Sequence, residues 1–142
     1  MPEFSQKSAK KLATCHKDLV MLFSQVIKYY DFTVLHGHRT PQEQYELYQK
    51  GRDKEGDIVT YKDGYENKSK HNYKPSLAVD VITYHSEKPH FRWDNKDEHQ
   101  FLGGLVMGVY YRLKREGLIK NEIEWGGNWE NFYDPFHFQI KG

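Results

Sequence analysis

The sequence predicts an α+β fold, a small single domain over residues 1–142 in which helices flank a short antiparallel sheet. Apolar residues recur every three or four positions near the N-terminus and in the late middle of the chain, which indicates amphipathic helices. Short segments rich in β-branched and aromatic residues lie between them and near the C-terminus, as is typical of strands. A chain of 142 residues is long enough to bury its own core.

Apolar periodicity and capping signals predict four helices, at residues 5–13, 16–30, 40–51 and 97–117. The first is short and polar. Thr40 can cap the third, Pro41 suits its first turn and Glu43 completes a capping box. Asp97 is expected to cap the fourth. Three glycines in the fourth helix predict close packing against a neighbour. They are Gly103, Gly104 and Gly108.

Four short segments have the composition of strands, at residues 32–36, 77–84, 123–126 and 136–140. The second of these is the most apolar and is interpreted as a buried central strand. Residues 52–68 are polar and lack any periodicity, so they are interpreted as a long surface loop. A loop of this length in a compact domain is often functional or mobile, and this one could be a lid or could bind a cation.

The composition excludes several classes of protein. The net charge of +1 gives no bulk attraction to nucleic acid. The single cysteine, Cys15, rules out an internal disulfide and indicates synthesis in a reducing compartment. No apolar run approaches the length of a membrane span, and the first residues lack the apolar core of a signal peptide. We therefore expect a monomeric chain that is made in the cytoplasm and has no stable membrane association.

One aspartate, Asp80, lies within the apolar run of residues 77–82, where a carboxylate is costly to bury unless it is paired. His71 precedes it in a loop, and His137 lies in the last strand. Two imidazoles and one carboxylate with an open fourth position form a catalytic zinc site, so we predict that these three residues bind Zn²⁺ at the sheet. Each has a common alternative, because a lone histidine is more often a hydrogen-bonded core or surface group and the aspartate could cap a turn or pair with an arginine.

Four further residues are candidates for contact with a substrate. Asp134 lies three residues before the last histidine, so it could act as a general base, or it could simply open a turn. Arg39 follows a strand and a glycine and could hold a carbonyl oxygen or a carboxylate, or it could form a surface ion pair with Glu43 or another acid. Ser69 could hydrogen-bond the substrate or shape its loop. Trp125 could wall a cleft, and a core position is almost as common for tryptophan.

Taken together, these motifs resemble the zinc D-Ala-D-Ala carboxypeptidase and L-alanyl-D-glutamate peptidase family, most closely its bacteriophage endolysin branch. A G-x-R-[ST] segment ahead of a helix is matched at residues 37–40. The motif S-x-H, followed by an aspartate in a strand, is matched at residues 69–71 and Asp80. A Trp-Gly pair at residues 125–126 precedes the final [DE]-x-x-H, which is matched at residues 134–137.

The resemblance covers about residues 15–141 and implies a zinc peptidase with a fold of the hedgehog and D-Ala-D-Ala peptidase type. It implies hydrolysis of the L-Ala-D-Glu bond in the peptidoglycan stem peptide, with Arg39 steadying the developing oxyanion and Asp134 moving the proton. The segment from His71 to Asp80 is longer than in the family's usual pattern, which bears on substrate detail more than on metal binding. An endolysin without a signal peptide would reach the cell wall by holin-type release.

Two alternatives remain open at this point. The chain could be a D-Ala-D-Ala dipeptidase or carboxypeptidase, which would release free D-Ala. It could also be a non-catalytic binding module stabilised by zinc on the same fold. Asp134 favours an enzyme over the module, because a structural metal site needs no general base.

Overall fold

The computed structural model describes residues 2–142 as four α-helices and one antiparallel sheet of four strands. The helices are α1 (Gln6–Leu12), α2 (Lys17–Val26), α3 (Pro41–Gln49) and α4 (Lys96–Arg115). The strands are β1 (Phe32–His36), β2 (Ala78–Thr83), β3 (Ile123–Trp125) and β4 (His137–Ile140). The strand order across the sheet is β1-β2-β4-β3. The predicted α+β class is confirmed.

The two central strands, β2 and β4, divide their side chains between the two faces of the sheet, because successive residues of a strand point in opposite directions. Val79 and Val81 of β2 and Phe138 of β4 belong to the hydrophobic core, together with Phe23 of α2 and Val106 of α4. The opposite face carries the polar residues near the middle of the sheet together with two small or apolar residues of β2. The core therefore holds β2 and β4 rigidly from one side and leaves their other side for chemistry.

The capping signals were correct for α3 and wrong for α4. Thr40 accepts a hydrogen bond from the Glu43 backbone while the Glu43 carboxylate accepts one from the Thr40 backbone, so the predicted capping box is present. Helix α4 begins at Lys96 because the side chain of Asn95, and not that of Asp97, accepts the hydrogen bond from the Glu98 backbone N–H. The helix thus begins before the predicted cap.

Only one of the three glycines in α4 packs closely against another element. A Cβ atom on Gly103 would lie 2.0 Å from the indole ring of Trp125, whereas a Cβ atom on Gly104 or Gly108 would meet nothing within 4 Å. The prediction of close packing was therefore right for Gly103 and wrong for the other two. Trp125 is 6% exposed, and Gly103 is the residue that makes room for it beneath the helix.

A buried carboxylate ties the start of α2 to the loop before β3. Asp18 is 3% exposed. Its Oδ2 atom accepts hydrogen bonds from the backbone N–H groups of Lys120 and Asn121, at 3.1 and 2.9 Å, and from the Asn121 side chain at 2.9 Å. Burial by itself would raise the pKa of Asp18, but these hydrogen bonds outweigh burial and lower the pKa below 3.8.

Among residues 2–142, the helices include none that is both long enough and apolar enough to cross a lipid bilayer.

Replacing Asp18 by alanine should lower the free energy of unfolding by about 2–3 kcal/mol at pH 7, because three donors lose a charged acceptor. The native carboxylate has a pKa below that of the unfolded chain, so its contribution is complete well above the unfolded pKa and is lost as the pH falls toward the native pKa. Urea unfolding at a series of pH values should show that the free energies of unfolding of the two proteins become equal in acid. Asp53→Ala, in an exposed loop, is the control and should match the parent protein.

Replacing Gly103 by alanine should lower the free energy of unfolding by about 1–3 kcal/mol, because the new methyl group would overlap the indole of Trp125. Gly104→Ala is a matched control in the same helix. It should raise stability by about 0.5–1 kcal/mol, because alanine is the better helix former and the added methyl group meets open space. Thermal and urea unfolding measure both values, and equal stabilities of the two variants would contradict this account of the packing.

Candidate metal centre

Asp80 and His137 meet because they are direct partners in the register of β2 and β4. Directly opposed residues in an antiparallel pair point to the same face. Here that is the polar face of the sheet, and the Nδ1 atom of His137 lies 2.9 Å from the Oδ1 atom of Asp80. Both residues are only 8% exposed, so strand pairing alone places an imidazole against a buried carboxylate.

His71 reaches the same carboxylate from a short 3₁₀ turn, Lys70–Asn72. The hydroxyl of Ser69 caps this turn by accepting a hydrogen bond from the His71 backbone N–H at 3.2 Å. The backbone N–H of Arg39 donates to the His71 carbonyl at 2.8 Å, which fixes the turn against the segment that follows β1. The imidazole is 2% exposed, and its Nε2 atom lies 3.3 Å from the Oδ2 atom of Asp80.

The hydrogen bonds around His71 determine which ring nitrogen carries the proton. Its Nδ1 atom lies 2.7 Å from the carbonyl oxygen of Gly37, and since a carbonyl only accepts, Nδ1 is the donor. In the neutral ring Nε2 then carries a lone pair that faces the carboxylate of Asp80. Nε2 is buried and forms no hydrogen bond with any group in residues 2–142. A cation between the lone pair and the carboxylate satisfies both, so this orphaned atom fits a metal ligand.

The three predicted ligands therefore converge. One ligand atom from each of His71, Asp80 and His137 lies within 4.8 Å of the other two, and all three residues are buried. Two neutral imidazoles and one ionised carboxylate are the ligands that divalent transition metals prefer. The extra residues between His71 and Asp80 do not prevent this convergence. The polar face of the sheet thus carries a candidate metal centre.

Neighbouring charges and burial have opposite effects on the pKa values of Asp80 and His137. Burial alone would raise the pKa of Asp80, but the neighbouring imidazoles of His71 and His137 hold it well below its usual range. Burial alone would lower the pKa of His137, but its hydrogen bond to Asp80 and the charge of that carboxylate raise it. The carboxylate is therefore kept ionised, which is the form that binds a cation.

Arg39 also contacts the central carboxylate. Its Nη2 atom lies 3.0 Å from Oδ2 of Asp80, and its Nη1 atom donates to the side chain of Gln44 at 3.1 Å. The alternative ion pair with Glu43 does not form, because the Glu43 carboxylate closes the capping box of α3. Gln44 is fully buried and in turn donates to Thr60 and to the carbonyl oxygen of Lys62. The guanidinium is therefore fixed at the edge of the centre.

Asp134 lies beside the centre, on the loop that leads into β4. Its backbone N–H donates to the carbonyl of Gly126 at 3.1 Å, and a Cβ atom on Gly126 would lie 2.3 Å from the Asp134 carbonyl oxygen. The close approach explains the glycine after Trp125. Burial raises the pKa of Asp134, and the negative charge of Asp80 raises it further. A carboxylate with a raised pKa is a stronger proton acceptor than an ordinary aspartate.

The other two predicted substrate contacts have different outcomes. Ser69 lines the cleft and shapes the loop that carries His71, which is one of its two predicted roles. Trp125 is not a wall of the cleft, and that prediction is corrected here. Its ring is buried in the core, stacked on Phe138 at 6.2 Å, and its indole N–H donates to the carbonyl oxygen of Pro135 at 2.8 Å. The core position, left open as the alternative, is the one observed.

Other aromatic residues border the candidate centre. The centre opens into a cleft of about 610 Å³. The ring of Trp129 lies 5.3 Å from that of His137, and the rings of Tyr61 and Phe132 meet edge to face at 5.3 Å. The many aromatic residues in the segment before Asp134 could have indicated a cleft lining. The segment has no periodicity, however, so the position of each ring could not be predicted. The cleft is also lined by three lysines: Lys62, Lys68 and Lys70.

In this α+β protein, a sheet and a neighbouring 3₁₀ turn together present two imidazoles and a carboxylate at an open cleft. That is the layout of a catalytic metal site, since structural sites are closed by four protein ligands. The model of the family described as phage L-alanyl-D-glutamate peptidase matches residues 2–137. The chain therefore belongs to this family.

One comparison with an individual protein agrees with the family, and one agrees with the fold. The chain is 36% identical over 120 residues to the peptidoglycan L-alanyl-D-glutamate endopeptidase CwlK of Bacillus subtilis (strain 168), and the match covers 78% of the chain. The match covers 60% of that relative's own length. The crystal structure of the L-Ala D-Glu endopeptidase ChiX of Serratia marcescens superposes with a TM-score of 0.70 and 24% identity, covering 97% of this chain and 89% of ChiX. The second comparison supports the fold.

If the three converging residues bind a divalent ion, Zn²⁺ should stabilise the protein, by about 2.7 kcal/mol at 100 times the dissociation constant. His71→Ala should abolish this gain, because it removes the buried lone pair that faces Asp80. Urea unfolding with and without Zn²⁺, and metal content after dialysis, measure the effect. His90→Ala, in a loop outside the cleft, is the control and should keep the stabilisation. One equivalent of zinc retained by His71→Ala would exclude this ligand set.

Proposed function

We propose that this protein is a zinc-dependent peptidoglycan endopeptidase that hydrolyses the L-Ala-D-Glu bond of the stem peptide. The observation that carries the proposal is the convergence of His71, Asp80 and His137 on the floor of an open cleft. Membership of the phage L-alanyl-D-glutamate peptidase family and the similarity to CwlK support the choice of bond. Because the chain spans 60% of the length of CwlK, the activity of that whole protein is carried over here as a proposal.

The lining of the cleft suits such a substrate. A glutamyl residue brings carboxylate groups, and Lys62 and Lys68 place cationic side chains along the cleft. The rings of Tyr61 and Phe132 supply apolar surface on which the methyl group and backbone of an alanyl residue can pack. A volume of about 610 Å³ accommodates several residues of an extended peptide. Charge and shape therefore favour an acidic peptide.

Zinc is the proposed metal, with His71, Asp80 and His137 as its ligands, and when bound it would supply a Lewis acid and a water of lowered pKa. Asp134 is the proposed general base. Its raised pKa suits a group that takes a proton from the attacking water and delivers it to the leaving amine. Asp134 is partly buried beside the centre and lines the cleft.

Arg39 is proposed to hold the carbonyl oxygen of the scissile bond as negative charge develops on it. Its guanidinium lines the cleft and is anchored through Asp80 and Gln44, so it needs little reorganisation. Ser69 is proposed to contact the peptide from the same side of the cleft. These residues form a preorganised electrostatic environment around the proposed metal.

The biological role that we infer is that of an endolysin. The family to which the chain belongs is described as a phage peptidase family, which supports synthesis inside an infected cell and action on its wall. In this proposal the protein acts as a monomer and reaches the wall by holin-type release. Its partner is the peptidoglycan stem peptide, and neither nucleic acid nor a membrane is a ligand.

The purified zinc-loaded protein should release fragments with new D-Glu amino termini from peptidoglycan, as read by mass spectrometry of the soluble products. Asp134→Asn should lower the rate by about 10²–10⁴-fold, because the proton acceptor is lost while the shape of the side chain is kept. It should retain zinc and the unfolding midpoint of the parent.

Asp57→Asn, on the exposed loop, is the matched control and should cleave at the parental rate. Release of free D-Ala by the parent protein would instead indicate a dipeptidase or carboxypeptidase. Zinc binding without any product would indicate the non-catalytic module. Parental activity in Asp134→Asn would exclude this residue as the base.

A further inference from the structure

Two further polar residues lie next to His137 on the same face of the sheet. Gln139 lies two residues further along β4, so its side chain is on the same face as the imidazole. Glu124 of β3 is the direct partner of Gln139 in the strand register and points to that face as well. The polar face thus carries Asp80, His137, Gln139 and Glu124 in a row across three neighbouring strands.

In the hydrogen bonds between these residues, the donor and the acceptor can be assigned. Gln139 donates a hydrogen bond from its amide nitrogen to Oε1 of Glu124. An ionised carboxylate only accepts, so the amide nitrogen of Gln139 must face Glu124 and its carbonyl oxygen must face the other way. That oxygen, Oε1, lies 2.8 Å from Nε2 of His137. Glu124 therefore determines which end of the Gln139 amide is presented to the imidazole.

The orientation of Gln139 selects one tautomer of His137. An amide oxygen accepts, so Nε2 is the nitrogen that donates its proton. Nδ1 lies 2.9 Å from Oδ1 of Asp80 and donates to that carboxylate. Because Nε2 keeps its proton for Gln139, Nδ1 is the nitrogen that can exchange its proton for a metal ion. His71 has the mirror arrangement, since its Nδ1 donates to the Gly37 carbonyl and its Nε2 faces the same carboxylate. In both rings, an acceptor on the far nitrogen leaves the near nitrogen, which faces Asp80, as the one available to a metal ion.

We propose that Gln139, oriented by Glu124, is a positioning residue that fixes the tautomer and ring orientation of His137, so that Nδ1 is the metal-binding atom. The inference rests on the metal centre of the proposed function and deepens it. Hydrogen bonds from a ligating histidine to an outer acceptor orient the ring and raise its basicity, and their loss typically costs about 10- to 100-fold in metal affinity. Gln139 and Glu124 act through His137 and touch neither metal nor substrate in this role.

The test is a measurement of zinc affinity by competition with a chelator, so it does not depend on peptidase activity. Gln139→Leu should weaken zinc binding by about 10- to 100-fold while the metal-free protein keeps its unfolding midpoint. Glu124→Leu should weaken binding too, because the Gln139 amide is then free to turn over. Gln25→Leu, on α2 and outside the cleft, is the matched control and should bind zinc like the parent.

Because Glu124 acts only through Gln139, the two substitutions should not be additive. The double variant Q139L/E124L should bind zinc about as tightly as Q139L alone. A reversed pair supplies a rescue. In Q139E/E124Q a carboxylate accepts from His137 Nε2–H and from the new amide, so zinc affinity should recover to within a few-fold of the parent. A merely structural role for the two residues would not be rescued in this way.

Three results would overturn the proposal: parental zinc affinity in Q139L, additive losses in Q139L/E124L, or failure of Q139E/E124Q to bind zinc better than Q139L. The ¹⁵N chemical shifts of His137 in the zinc-loaded parent give an independent reading. They should show Nε2 protonated and Nδ1 bound to the metal, and the opposite assignment would also exclude the proposal. Failure of the parent protein to cleave peptidoglycan would contradict the proposed function and leave these binding results intact.

Discussion

The burial of the Asp80 carboxylate is the constraint on which the rest of the structure depends. Burying a charge in a sheet is costly unless it is paired and hydrogen-bonded, and here three segments of the chain converge to do so. The strand pairing of β2 with β4 brings His137, the 3₁₀ turn brings His71, and the segment after β1 brings Arg39. The same arrangement turns one nitrogen of each imidazole toward one carboxylate, which is a set of ligand atoms that a divalent cation can bind.

The sheet supports this arrangement because its two faces have different roles. One face of β2 and β4 packs on α2 and α4 and anchors the strands in the core, while the other face carries Asp80 and His137. Gly37 and Gly126 allow the backbone to approach closely at two edges of the site, and a Cβ atom on either would lie 2.3 Å from a backbone oxygen. The rigidity of the core is thereby transmitted to ligand atoms through short, hydrogen-bonded connections. Such support is what a catalytic metal site requires.

Sequence reasoning succeeded where a local pattern has one physical solution. The capping box at Thr40 and Glu43 needs only contacts within one turn, and it was predicted correctly. It failed where two local solutions compete and the tertiary structure chooses between them. Asn95 and Asp97 are both good caps, and Asn95 is used. A tryptophan such as Trp125 can lie in a core or line a cleft. Here its ring lies in the core, because Gly103 has no side chain and leaves room for it.

The sequence by itself predicted the α+β class, the order of the main elements and the three residues that converge. An aspartate inside an apolar strand needs partners, and the S-x-H and [DE]-x-x-H motifs of the resembled family singled out His71 and His137 among the eight histidines. Only the tertiary structure decided how these residues meet. The register of β2 and β4, the carbonyl of Gly37 behind His71 and the Gln139 amide behind His137 are contacts between residues distant in the chain or on neighbouring strands. The periodicity of the sequence does not predict these contacts. They form only when the strands pair in one register and the core packs against the other face of the sheet.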